Sequence, residues 1–229
     1  HFFKQKYNWI QNNEIKTGPL VFANLNGTDK SLYKIKLGFA SDTIVLTYAV
    51  TTKARHGERF YFIETLDEFI ASLSDIVDTV NKNKNMRLII RIHPGFHLTD
   101  NEMGILLPES DRIIFHQKGT FSEALAATDI LISYSSTTID EALINRIPVL
   151  LYDKWNRYNH FKTGVFDNPQ SPGIFPVCYV NDYSKLDTAL QYMTKKLKET
   201  RKEDIDVSKY CYDKDYSNNF HDFIEKSLQ

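Results

Sequence analysis

From residue 41 onward, apolar positions fall into two registers. Short continuous apolar runs predict buried strands at Ile44–Val50, Met86–Ile92, Arg112–Phe115, Ile130–Ser133, Ile147–Tyr152 and Val177–Val180. Between them the apolar spacing turns helical. Leu66, Phe69, Ile70, Leu73, Ile76, Val77 and Val80 make one face of a helix running from Thr65 to about Asn81. Thr65-Leu66-Asp67-Glu68 and Thr120-Phe121-Ser122-Glu123 each fit a capping box, the second opening a short helix to Ala127. Further helices are predicted over Ser136–Asn145, Ser184–Glu199 and Asn218–Leu228. Residues 1–40 have no clean period, and residues 51–60 and 153–175 read as loops. Strands alternating with helices predict an α/β fold, a Rossmann-like, doubly wound parallel sheet covered on both faces.

In such sheets ligands bind beyond the carboxyl ends of the strands. Three polar groups are predicted there: Thr51-Thr52, His93-Pro94 and Ser133–Thr138. The last carries five Ser/Thr hydroxyls in six positions just before a helix. Unpaired N–H groups and hydroxyls at a helix start suit a phosphate. A simple cap would need one of those hydroxyls. Glu141 lies four residues after Thr137, on the same helix face, where a carboxylate can accept the hydroxyls of a ribose. Asp140 is expected to be the solvated neighbour. His93, fixed at a sheet edge by Pro94 and Gly95, can donate to a phosphate oxygen, and a bound phosphate would favour its protonated form. Arg55, His56 and Arg59 are weaker candidates on the same edge, and Lys118-Gly119 can lie near a base through backbone contacts.

Composition narrows the classes. The chain has 229 residues, 42% hydrophobic and 25% charged, with a net charge of -1, so it carries no whole-chain basic signature for nucleic acid. Cys178 and Cys211 form no CxxC pair and no metal-like cluster with His, so two incidental thiols in a reduced, cytoplasmic protein are expected. His93 and His97 are separated by Pro94-Gly95, which prevents a helical zinc pair, and no metal site is expected. No apolar run reaches the roughly 18 residues of a membrane span, and the start, His1-Phe2-Phe3-Lys4, lacks signal-peptide features. The opening run His1–Asn13, without Met, points to sequence upstream of it.

The ordered motifs His93-Pro94, Ser135-Ser136-Thr137, Glu141-Ala142 and Pro148-Val149 resemble the C-terminal, donor-binding half of GT-B-fold glycosyltransferases. Over about residues 42–200 they are similar to bacterial surface and capsular polysaccharide enzymes of the sialyltransferase and Kdo-transferase type. The segment Ser133–Asp153 is also similar to the glycerophosphotransferases of teichoic acid synthesis. The Gly usual two residues before the Pro is Arg146 here, so the turn after the helix is expected to differ. No widely spaced two-Glu donor motif is evident, against the large retaining transferases.

The resemblance implies one half of a GT-B architecture. Residues 1–40 become an extension or linker from an upstream domain, 41–200 the Rossmann-like nucleotide-binding domain, and 201–229 a C-terminal extension with a terminal helix. It implies a donor domain that takes a nucleotide-activated sugar (CMP- or NDP-linked) as substrate, with no other cofactor, for inverting, metal-independent transfer to a glycan or lipid-linked acceptor. His93, Ser135, Ser136 and Thr137 would bind the donor phosphates with Thr51 and Thr52 beside them, Glu141 would bind the ribose, and His93 would also stabilise the leaving group. The upstream half would supply the acceptor's base, so the chain alone would bind nucleotide without turnover. The full-length protein would work in the cytoplasm, with peripheral association at the inner membrane face. A glycerophosphotransferase with a CDP-glycerol-type donor, a nucleotide-sugar 2-epimerase-like enzyme and a non-catalytic nucleotide-binding module are the alternatives.

Overall fold

The computed structural model describes residues 22–50, 64–93, 99–106, 110–158, 160–170, 174–211 and 216–227. Six parallel strands form one sheet in the order β3-β2-β1-β4-β5-β6. They are β1 Ile44–Ala49, β2 Met86–Arg91, β3 Ile113–His116, β4 Ile130–Ser133, β5 Val149–Tyr152 and β6 Val177–Val180. The helices are α1 Lys30–Lys36, α2 Leu66–Lys82, α3 Asp100–Leu106, α4 Phe121–Ala127, α5 Thr138–Ile144, α6 Tyr183–Glu199 and α7 Tyr216–Ser227. The chain builds outward from β1 to β3, then returns to pair β4 on the other side of β1. This reversal opens the crevice of a doubly wound sheet between β1 and β4.

The apolar runs are continuous because both faces are buried. On one face Leu46, Tyr48, Leu88, Ile90, Ile130, Ile132 and Leu150 pack against α2 and α6 through Phe69, Leu73, Ile76, Leu186, Ala189 and Leu190. Burying each Leu, Ile or Phe side chain among these contributes about 1.5–3 kcal/mol. On the other face Leu131, Val149, Leu151 and Val177 meet Leu125 of α4 and Ile139, Ala142 and Leu143 of α5. Both predicted capping boxes form, at Thr65/Glu68 and Thr120/Glu123. No helix among the described residues is long and apolar enough to cross a membrane.

Two short helices were not visible as periodicity. In α1 the most buried residue is Lys34, 5% exposed, while Leu32 and Ile35 face solvent at 55% and 58%. An ion pair buries this helix together with Tyr33 and Leu37, which pack against Phe39, Val45 and Ala127. Lys34 Nζ lies 2.6 Å from Asp129 Oδ2 and donates to Thr43 O at 2.7 Å, and Lys30 Nζ donates to Asp129 Oδ1 at 2.9 Å. Helix α3 contains Gly104 and the exposed Ile105, so it shows little amphipathic pattern.

The turn after α5 keeps the left-handed geometry usual for Gly. Arg146 has φ 56°. Its N–H bonds Leu143 O at 2.8 Å and that of Ile147 bonds Ala142 O at 2.9 Å, a Schellman pair. The expectation of a different turn is corrected here: Arg146 adopts the left-handed backbone that a Gly at this position would favour. The left-handed conformation costs a non-Gly residue about 1–2 kcal/mol. It is offset by Arg146 Nη1 donating to Glu203 O at 2.9 Å and Ile205 O at 2.6 Å, which docks the segment after α6.

The Asp129 pair gives a stability prediction. Asp129→Ala leaves the buried Lys34 ammonium without its partner, and breaking such a pair costs about 3–5 kcal/mol. Adding Lys34→Met is expected to recover part of that loss in urea unfolding. Equal stability of Asp129→Ala and the wild type would show that the pair does not anchor α1.

Candidate functional site

The carboxyl ends of β2, β1, β4 and β5 surround the crevice, and the predicted Ser/Thr cluster leaves β4 directly into it. Thr51 and Thr52 lie outside the described residues, as do Arg55, His56, Arg59, Pro94, Gly95 and His97. His93 is described, exposed just beyond β2. It lies two strands from Ser133, about 10 Å at ~4.8 Å per strand.

The segment Ser133–Thr138 has more hydroxyls than its backbone uses. Ser136 Oγ accepts from Thr138 N at 3.2 Å. Thr137 holds the N-cap position with helical angles (φ -64°, ψ -15°) and makes no side-chain cap bond. Helix α5 therefore starts at Thr138, two residues later than predicted. Ser133 is 1% exposed, and its buried Oγ has no hydrogen-bond partner among the described residues, nor has the buried Oγ1 of Thr138. A buried hydroxyl is seldom left so. Ser135, Ser136 and Thr137 are brought together in this one turn, between the two unpartnered hydroxyls.

Helix α5 also grips a distant segment. Glu141 Oε1 accepts from Ala23 N at 3.1 Å. One turn on, Asn145 donates to Ala23 O at 2.8 Å and accepts from Leu25 N at 2.8 Å. Sequence spacing placed Glu141 on the helix face but cannot reveal a partner 118 residues away. Burial pushes its carboxyl above the usual range, while the Ala23 N–H draws it back. Asp140, expected to be solvated, is instead half-buried; burial raises its carboxyl pKa and the neighbouring His160 opposes that. Partial burial and the adjacent Arg91 both hold His93 below its ordinary value, so the unliganded imidazole is neutral near pH 7.

Sequence reasoning placed the loop after β5 but singled out none of its residues. Asp153 is buried and accepts from Tyr158 N at 2.6 Å and from Tyr179 Oη at 2.9 Å. Lys154 pairs with Asp75 at 2.7 Å. Arg157 forms a two-bond fork with Glu68 of α2, one bond at 2.9 Å and the other between Nη2 and Oε1. Trp155 stays 39% exposed between these two cations, which lie 5.7 and 6.0 Å from its ring centroid. The available signal was an Asp at a strand end followed by alternating cations and aromatics.

A family model described as CDP-Glycerol:Poly(glycerophosphate) glycerophosphotransferase matches residues 1–226. Comparison with curated proteins gives no match. Among solved structures, the chain is similar to S. aureus MnaA solved with UDP, at 14% identity and TM-score 0.58, covering 99% of this chain and 57% of that one. It is similar to UDP-GlcNAc 2-epimerase from Neisseria meningitidis bound to UDP-GlcNAc, at 14% identity and TM-score 0.50, covering 89% and 50%. It is similar to a variant of the wall teichoic acid polymerase TagF, at 16% identity and TM-score 0.50, covering 89% and 49%. These likenesses concern the fold and bear out the Rossmann-like parallel sheet. The chain spans about half the length of each of these structures.

The Arg157 fork gives a pH prediction. It holds the Glu68 carboxyl below its usual range. Its contribution is therefore complete above the unfolded carboxylate pKa and is lost as pH falls through the depressed folded value. With Trp9→Phe leaving Trp155 as the single tryptophan, its emission should shift on acidification through that range. Glu68→Gln at pH 7 should reproduce the shift; an emission insensitive to both changes would mean the fork does not hold the loop.

Proposed function

The chain belongs to the CDP-glycerol:poly(glycerophosphate) glycerophosphotransferase family, and from that premise we propose that its crevice binds the nucleotide diphosphate of a CDP-linked polyol donor for transfer of the polyol phosphate. The observation that carries this reading is the Ser133–Thr138 turn at the β4 end, with buried hydroxyls that have no partner among the described residues. A phosphate supplies the acceptors such a turn lacks. An acceptor hydroxyl would attack the phosphorus that bears the polyol. The new P–O bond would form as the bond to the bridging oxygen breaks, CMP leaving with the electron pair and the acceptor's proton passing to a base.

In this reading the hydroxyls of Ser135, Ser136 and Thr137 hold the leaving phosphate, and preorganised donors there stabilise its growing charge. His93 donates from the neighbouring edge and gains basicity as the anion arrives. Thr51 and Thr52, which follow β1 in sequence and lie outside the described residues, are proposed donor-phosphate contacts beside these groups. Glu141 offers Oε2 to a ribose hydroxyl while Oε1 keeps Ala23. Transfer of a sugar from a CMP- or NDP-linked donor would use the same grip; the family description favours polyol phosphate.

Ser136→Ala with Thr137→Ala should weaken CDP binding at least tenfold, about 1.4 kcal/mol, by calorimetry; unchanged affinity would refute the assignment. In a thermal-shift screen of CMP, CDP, CDP-glycerol, UDP and GDP, the cytidine compounds should raise the melting temperature most. A stronger response to UDP or GDP would instead support a sugar donor.

A further inference from the structure

Arg91 is the last residue of β2 and lies opposite His116 of β3 in the sheet register. It is 8% exposed. Both arms of its guanidinium are used within one turn: Nη1 donates to His116 O at 2.8 Å and Nη2 to Gly119 O at 2.9 Å. The turn is tight. Gly119 has φ 81°, and a Cβ there would lie 2.1 Å from Glu123 Oε2. Glu123 is itself folded back onto Thr120 N at 2.9 Å. Among the described residues no carboxylate forms an ion pair with Arg91.

A neutral amide would satisfy two carbonyls without the cost of burying a charge. Here burial opposes the guanidinium charge and Glu123 offsets only part of that. The charge nevertheless persists, because an arginine is not deprotonated in a protein. It sits two residues from His93, at the carboxyl end of β2, one of the strand ends around the crevice. A charge held in a partly buried edge is screened less than one in open solvent.

We propose that Arg91 is a positioning residue of the donor site: a fixed positive charge behind His93, riveted to the β3–α4 turn, that draws the donor's diphosphate to this edge. The inference rests on the donor reading above and adds a residue that touches no donor. It accounts for a buried cation whose hydrogen bonds among the described residues go to two carbonyls. Burial first and then Arg91 on its own strand oppose protonation of His93, burial and then the same guanidinium hold down His116 of β3, and Glu123 of α4 acts on Arg91 in the opposite sense to its burial.

The test compares Arg91→Lys, which keeps the charge, with Arg91→Met, which removes it, in the full protein. CDP should bind Arg91→Lys within about threefold of the wild type and Arg91→Met at least tenfold more weakly. Uncharged cytidine should bind all three alike, and the salt dependence of CDP binding should flatten in Arg91→Met. In the unliganded protein the His93 titration, followed by NMR, should move up in Arg91→Met and stay in place in Arg91→Lys; a shape-only role moves neither. Wild-type CDP affinity in Arg91→Met, or equal losses for CDP and cytidine, would overturn the inference alone. If Arg91→Met does not fold, a tenfold loss of CDP binding in Arg91→Lys overturns it. A wild type that binds no nucleoside diphosphate overturns the donor reading and this inference with it.

Discussion

The carboxylate of Asp129 is where the two halves of the sheet are joined. Its backbone N–H donates to Val45 O at 2.8 Å, and its Oδ2 accepts from Val45 N at 2.8 Å, so one residue supplies both ends of the first β1–β4 rung. The same carboxylate receives Lys34 and Lys30 of α1. Beside it, Thr128 and Thr47 share a hydrogen bond of 2.6 Å, and Thr128 Oγ1 donates back to Ala124 O in α4. Four elements meet at these two residues. The β1–β4 pairing is the reversal of strand order, so the constraint that closes the sheet also places the crevice.

Strand β4 has four residues, roughly 13 Å at ~3.3 Å per residue. One end carries Thr128 and Asp129, whose side chains and backbone N–H groups are used for structure. The other end carries the turn whose buried hydroxyls are not all used. This asymmetry separates stability from chemistry along a single strand, with the apolar Ile130–Ile132 between them buried on both faces. Bonds at the amino end fix the register, and the register fixes where the hydroxyls emerge.

The sheet was legible because burial on both faces leaves uninterrupted apolar runs, and Ile130–Ser133 and Val177–Val180 were placed to the residue. The long helices were legible because α2 combines a capping box with a clean apolar face. Helix α1 was not, since its most buried residue is a lysine whose partner, Asp129, is 95 positions on, and period counting reads lysine as solvent-facing. The candidate site was legible where chemistry is local. The Ser/Thr turn and His93 both fall at strand ends, as their flanking apolar runs required. The bonds that tie Glu141 and Asn145 to residues 23–25, Arg157 to Glu68 and Arg91 to the β3–α4 turn were not legible, because each depends on a neighbour brought close only by folding.

Helix α5 shows why those unseen bonds matter to the site. A helix of seven residues cannot hold itself in water. It is held from three sides. Ile139, Ala142 and Leu143 are buried against the sheet. Glu141 and Asn145 take the backbone of Ala23 and Leu25. Arg146 takes the carbonyls of Glu203 and Ile205. Segments from before and after the sheet thus converge on the helix that begins at the hydroxyl turn. A turn fixed in this way presents its donors without rearranging them, and such donors stabilise developing charge at least cost. The left-handed Arg146 fits the same logic: a glycine would relax the backbone there but would release residues 203–205 from the helix.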